Sequence, residues 1–223
     1  KRWRAGNFPI ALIGERAGLT YQYDYLGAGA DSLANLGQSK FAEALKVAER
    51  PLVVVGAGAL ARPDGAAILS LAAKAAIELG AVKGSWKGFN ILDNEAALPG
   101  ALDIGFVPAQ GGLGTADMLK DGALDVLFLL GVDEVEVSPG PCVVYIGTHG
   151  DRGAHRADVI LPAAAYPEKS AIYVNTEGRV QLANRAAFPP GDAREDWAIL
   201  RALSDVLGRK LPYDSLSALR QAM

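Results

Sequence analysis

Residues 51–61 read PLVVVGAGALA. Leu52 and three valines run into Gly56-x-Gly58-x-x-Ala61. A short, continuous apolar run ended by glycine predicts a strand, and a Gly-x-Gly turn behind it outlines a strand-to-helix junction. The same grammar recurs outward from this point. Strands are predicted at residues 10–14, 126–131, 142–146 and 159–161, each rich in Val, Ile or Leu and most closed by Gly or Pro. Runs without polar alternation suit strands covered on both faces, as in a parallel sheet.

Helices are expected between them. In residues 39–49, Phe41, Leu45 and Ala48 share one face. In residues 64–79, Ala67, Ile68, Leu71, Ala75 and Leu79 recur at helical spacing, and Gly80 supplies the stop. Residues 192–207 give a third, with Asp192 as cap and Trp197, Leu200, Leu203, Ser204 and Leu207 as its stripe. Pro189-Pro190-Gly191 blocks any earlier start. Strands alternating with helices predict an α/β fold, a layered, mostly parallel sheet with helices on both faces. We place that domain at residues 1–150 and a smaller C-terminal hairpin-and-helix region, packed on it, at 151–223.

Residues 84–114 are rich in glycine, with Trp86, Phe89 and Phe106 scattered among them, and read as loops with short pieces of structure. From Asp117 to Glu136 there are six acids and one lysine, a composition of solvated helix ends or of a docking surface for a basic partner.

Composition sets further bounds. The chain has 223 residues, half of them apolar, which suffices for a substantial core. A net charge of −3 gives no footprint for nucleic acid or an anionic membrane. No apolar run approaches the roughly 20 residues of a membrane helix. A single cysteine, Cys142, excludes a disulfide scaffold and suits a reducing compartment. Lys1-Arg-Trp-Arg4 is neither an initiator methionine nor a signal peptide, and reads as the interior of a longer protein.

Two clusters invite a chemical reading. A dinucleotide site at Gly56 and Gly58 needs a helix beginning at the turn and an acid about 20 residues on, at a strand end. Here Arg62-Pro63-Asp64 delays the helix, Asp64 brings negative charge, and Glu78 falls inside a helix. The turn is therefore expected to be structural, with Gly56 and Gly58 letting backbones pack closely. Cys142, His149, Asp151 and His155 carry zinc-ligand chemistry, but their spacing matches no compact zinc pattern. His149 and Asp151 are expected to serve as loop hydrogen-bonders, and Cys142 to be buried and inert at the start of its strand. An iron–sulfur cluster needs about four thiolates, which one cysteine cannot supply. No metal site and no catalytic residue are expected.

Residues 157–181 are the most specific: ADVILPAAAYPEKSAIYVNTEGRVQ. Val159 to Pro162 is a short strand and Ile172-Tyr-Val174 another. Asn175-Thr-Glu-Gly178 is a turn in which Gly178 takes positive φ and Asn175 bonds its own backbone. Glu168, Lys169, Glu177 and Arg179 are candidates for ion pairs.

This tract resembles that of the molybdopterin oxidoreductase superfamily, and most closely the large iron–sulfur subunits of respiratory complex I, the NADH:quinone oxidoreductase. ALIGERAGLTYQYDYLG, DGAAILSLAAKAA, GFNILDNEAALPGALDIGF, LFLLGVDE and PPGDAREDWAILRALSDVLG extend the resemblance over nearly the whole chain. It implies iron–sulfur clusters in a preceding N-terminal region of the parent subunit, and none here. It implies other peripheral-arm subunits as partners, at the cytoplasmic face of a bacterial inner membrane or the mitochondrial matrix side, without membrane insertion. Molybdenum enzymes of the superfamily commonly carry Gly-Thr where Ala171-Ile172 stand. The resemblance therefore implies a lost cofactor, and Gly56, Gly58, His149, Asp151, Asn175, Glu177 and Arg179 as vestigial candidates of a former pocket. The alternative is a cofactor- or nucleotide-binding α/β domain that retains a pterin or dinucleotide pocket.

Overall fold

A computed structural model describes residues 3–6 and 8–223. Lys1 and Arg2 of the basic N-terminal stretch lie outside the described residues. The chain forms two compact units, Lys1–Ala96 and Ala97–Met223. The boundary expected between residues 150 and 151 falls inside the second unit, between two strands of one sheet.

The first unit opens with β1 (Ala11–Ile13) and β2 (Asp24–Gly27), a parallel pair, then two short helices, α1 (Ala30–Ala34) and α2 (Ala42–Val47). β3 (Val53–Gly56) leads straight into α3 (Ala57–Leu60) and, after a turn, α4 (Gly65–Glu78). A two-residue-per-strand hairpin, β4 (Val82–Lys83) and β5 (Trp86–Lys87), precedes β6 (Phe89–Leu92), which pairs parallel with β3 in the register Val53↔Phe89 to Gly56↔Leu92. β3, its two helices and β6 thus make a βαβ crossover.

α4 forms because its interior is alanine-rich and free of glycine and proline. It ends in a Schellman cap: Gly80, at φ +74°, donates to Ile77 O (3.1 Å), and Ala81 donates to Ala76 O (2.8 Å). Its buried residues are Gly65, Ala72 and Ala76, with Ala67 exposed. The expected stripe through Ala67, Leu71 and Ala75 is therefore rotated. The face with the smallest side chains goes inward because it allows the closest approach of neighbouring backbone.

The second unit begins with α5 (Leu98–Asp103) and α6 (Thr115–Met118). Its core sheet has three parallel strands in the order β7 (Val126–Leu130), β8 (Cys142–Gly147) and β9 (Val159–Pro162), with α7 (Arg152–Arg156) between the last two. Leu127, Leu129, Val143 and Tyr145 form the core on one face, packed by Leu119, Leu124, Val135, Val137, Ala154 and Ala157. Val126, Phe128 and Leu130 point to the opposite face and stay partly solvated. β10 (Ala171–Val174) and β11 (Val180–Ala183) pair as an antiparallel hairpin, followed by α8 (Asp196–Val206) and α9 (Leu216–Gln221).

The α/β class holds, and most strand pairings are parallel. The parallel strands are spread over three small sheets, β1–β2, β3–β6 and β7–β8–β9, rather than one layered sheet. α8 starts three residues later than expected, and Glu195, not Asp192, is its cap residue. The intervening segment is used elsewhere: Arg194 N donates to Pro162 O (3.1 Å) and Ala164 N donates to Arg194 O (2.8 Å), so this backbone extends the chain beyond β9 instead of coiling. The glycine-rich middle, read as loops with short pieces of structure, carries β5, β6 and α5.

Candidate functional site

The carboxyl ends of β7 and β8 bring together a connected polar group in the second unit. Tyr145, on β8, is 2 % exposed and its ring fills the core. Its hydroxyl reaches the strand end, donating to Asp133 Oδ2 (3.1 Å) and lying 3.2 Å from His149 O. The other oxygen of Asp133 accepts from Gly153 N (3.1 Å) in the first turn of α7. One carboxylate thus joins the segment after β7, the β8 side chain and the start of α7. Burial first, and then the neighbouring Asp133 carboxylate, push the Tyr145 phenol above its ordinary pKa.

Glycine makes this packing possible. A Cβ on Gly153 would lie 2.8 Å from both Asp133 Oδ1 and Tyr145 Cε2. His149 and Asp151 occupy the same loop with lesser roles. The His149 ring nitrogen Nδ1 sits 2.7 Å from Thr148 Oγ1, and the carbonyl of Asp151 accepts from His155 N (3.1 Å). Asp151 is the cap residue of α7, but its side chain makes no capping bond; the carboxylate on the α7 backbone is that of Asp133. Residue spacing drew attention to His149 and Asp151 and passed over Asp133 and Tyr145. The available signal was an acid just behind a strand-ending glycine, Gly131-Val-Asp133.

Cys142 begins β8, as expected, but is exposed rather than buried, because it stands at the first residue of the strand. His149 follows the other end of that strand, about 20 Å of extended chain away. Among the described residues, no three His, Cys, Asp or Glu side chains are grouped to hold a metal ion.

Beyond α7, Arg156 donates to three backbone carbonyls, Val137 O (3.3 Å), Ser138 O (3.2 Å) and Pro141 O (3.2 Å). It also lies 3.6 Å from Asp158 Oδ2, an oxygen that accepts from Val143 N at 2.8 Å. These contacts fasten the connection that returns the chain into β8.

The hairpin turn is organised by Asn175. Its Oδ1 accepts from Glu177 N (3.0 Å) and Arg179 N (2.9 Å), and Gly178 takes φ +76°. Glu177 and Arg179 form an exposed ion pair at 3.7 Å. Lys169 pairs with Asp196 at the start of α8, and Glu168 accepts from Ala165 N (2.9 Å) instead of pairing with a cation. Among the described residues, no hydrogen bond or ion pair links the 149–151 loop to the 175–179 turn.

In the first unit, the long helix α4 starts past the turn, at Gly65 with Asp64 as its cap residue, as expected, but the Gly56–Gly58 junction itself differs from expectation. A helix does begin at the turn, since α3 starts at Ala57, but it lasts four residues. The glycines are not needed for close packing: Gly56 has φ −79°, and a Cβ on Gly56 or Gly58 would meet nothing within 4 Å. The close approach is at Gly65 instead. Arg62 and Asp64 pair with each other through Nε–Oδ1 (2.8 Å) and Nη2–Oδ2 (3.0 Å), which holds the Asp64 carboxyl below its usual pKa.

Comparison with known proteins accords with the resemblance in the residues. Residues 1–206 match the family model described as molybdopterin oxidoreductase. The chain is 41% identical over 222 residues to the NADH-ubiquinone oxidoreductase 75 kDa subunit of Reclinomonas americana, covering 96% of this chain and 32% of the relative. It is 43% identical over 223 residues to an NADH-quinone oxidoreductase subunit of Rickettsia bellii, covering 98% and 32%. It is 41% identical over 225 residues to the mitochondrial NADH dehydrogenase [ubiquinone] iron-sulfur protein 1 of Solanum tuberosum, covering 99% and 30%. The chain spans about a third of the length of these curated relatives. A match over most of the chain, with relatives at this identity, places the protein in the molybdopterin oxidoreductase family.

Proposed function

We propose that this chain is a non-catalytic portion of the iron–sulfur subunit of an NADH:quinone oxidoreductase, the respiratory complex I. In this reading it supports electron transfer from NADH to quinone by holding neighbouring parts of the peripheral arm in place. The observation that carries the reading is identity of 41–43% over nearly the whole chain to proteins named for that oxidoreductase, from a bacterium and from eukaryotes. The residue inventory supports the non-catalytic part: one cysteine and two histidines fall short of the four ligands of a cluster. Among the described residues, no helix is long and apolar enough to cross a membrane. The reading places the chain in the arm, on the cytoplasmic or matrix side.

The family description raises a pterin cofactor. Such a ligand carries phosphate, and open α/β sheets receive ligands of this kind beyond the carboxyl ends of their strands. At β7 and β8 that place is taken by the Asp133 carboxylate and the Tyr145 hydroxyl. Asn175 Oδ1 is taken by its own turn, and Glu177 and Arg179 pair with each other at the surface. These residues do not fit the group, and the reading assigns this chain no cofactor.

Purified chain assayed for iron, molybdenum and pterin fluorescence is expected to contain none in stoichiometric amount. A stoichiometric content of any one would overturn the assignment.

A second reading is favoured by one observation: β3 passes directly into α3 and pairs parallel with β6, the layout of a nucleotide-binding crossover. Calorimetric titration with NADH, NADPH and a pterin tests it. Saturable heat would favour a retained pocket, and its absence removes that reading.

A further inference from the structure

We propose that Asp133 is an internal latch, a positioning residue that holds the β8–α7 loop against the carboxyl end of its sheet. Each of its oxygens accepts from a different element: Oδ2 from the Tyr145 hydroxyl at 3.1 Å, Oδ1 from Gly153 N at 3.1 Å. The Tyr145 hydroxyl also lies 3.2 Å from His149 O, so its one proton is shared between the Asp133 carboxylate and the loop carbonyl. Among the described residues, the side chain of Asp151 makes no capping bond, and the His149 ring hydrogen-bonds with its neighbour Thr148. Gly153 is buried and leaves room for the carboxylate and the tyrosine ring at once.

The inference rests on the reading of this chain as cofactor-free, but its test is separate. Hydrogen exchange is measured by mass spectrometry on the intact chain for Asp133→Ala, Asp133→Asn and Tyr145→Phe. Asp133→Ala removes both acceptors and is expected to raise exchange across residues 148–156 by about tenfold or more, a loss of hydrogen bonds to a charged acceptor. The β10–β11 hairpin should exchange as in the parent. Asp133→Asn keeps an acceptor oxygen for Gly153 N and should recover most of the protection. Tyr145→Phe, which keeps the ring, should give a smaller rise in the same segment, and it decides the matter if Asp133→Ala does not fold. Unchanged exchange in residues 148–156, or an equal rise throughout the β7–β9 sheet and the hairpin, would overturn the latch while leaving the scaffold reading intact. Stoichiometric pterin or metal in the purified chain would overturn the scaffold reading whatever the exchange shows.

Discussion

Gly65 faces the carbonyl of Leu60 so closely that a Cβ would stand 2.0 Å from the oxygen and 2.6 Å from its carbon. The contact is backbone against backbone, so no side-chain rotation relieves it. Gly65→Ala is expected to destabilise the chain by about 1–3 kcal/mol through overpacking. Gly58→Ala, with open space around its Cβ, should instead stabilise by roughly 0.4–1 kcal/mol by restricting the unfolded chain. Urea denaturation of the two variants checks the contrast. Equal effects would overturn the assignment of the tight junction to Gly65.

Arg156 serves three carbonyls with one planar fork. Arg156→Ala leaves those acceptors with only partial access to water and should cost about 1.5–3 kcal/mol. Arg156→Lys should recover little, since an ammonium on a flexible stem cannot span three fixed acceptors as a guanidinium does. Denaturation midpoints of both variants give the answer, and full recovery by lysine would reduce the interaction to its charge.

Asn175 and Gly178 set the hairpin. Asn175→Ala removes two backbone-directed bonds and is expected to cost roughly 1–2 kcal/mol. Gly178→Ala places a side chain at φ +76° and should cost about 1–2 kcal/mol. Glu177→Gln breaks only an exposed ion pair, worth at most about 1 kcal/mol, and should be nearly silent. Thermal melts of the three variants provide the comparison.

Asp214 accepts from Arg201 and lies 3.6 Å from Lys210, and the guanidinium chiefly, with the ammonium after it, holds its carboxyl below the usual value. A depressed folded pKa contributes stability that is present above the unfolded value and is lost as pH falls through the folded one. A carbon-13 NMR titration should therefore place the Asp214 midpoint below that of an ordinary aspartate. Arg201→Gln should return it toward 3.8, and an unchanged midpoint would refute the pairing.

The five apolar runs closed by Gly or Pro, at β1, β3, β7, β8 and β9, were all legible in the sequence, because continuous β-branched and aliphatic residues suit covered strands. The Asn175–Gly178 turn was legible because its interactions are local. What escaped depended on distant partners. β6 exists because Phe89–Leu92 pairs with β3, some 36 positions earlier by register, and four residues carry too little pattern alone. Asp192 is a good cap residue, yet the backbone at Arg194 bonds to Pro162 and Ala164, and tertiary pairing overrides the local start signal. The role of Asp133 was invisible for the same reason, since its partners Tyr145 and Gly153 lie 12 and 20 positions away. The resemblance to a known family was carried by 157–181 and agrees with the match over residues 1–206.

The partly solvated side of the β7–β9 sheet bears on how the chain behaves when alone. Val126 is 49 %, Phe128 45 % and Leu130 43 % exposed, in a row along a terminal strand whose outer hydrogen-bonding rim is open in the sheet order. A greasy ribbon with a bare rim is adhesive, and it invites self-pairing of unassembled copies. Solubility during expression should therefore depend on detergent or a charged replacement at Phe128 more than on the strength of the interior.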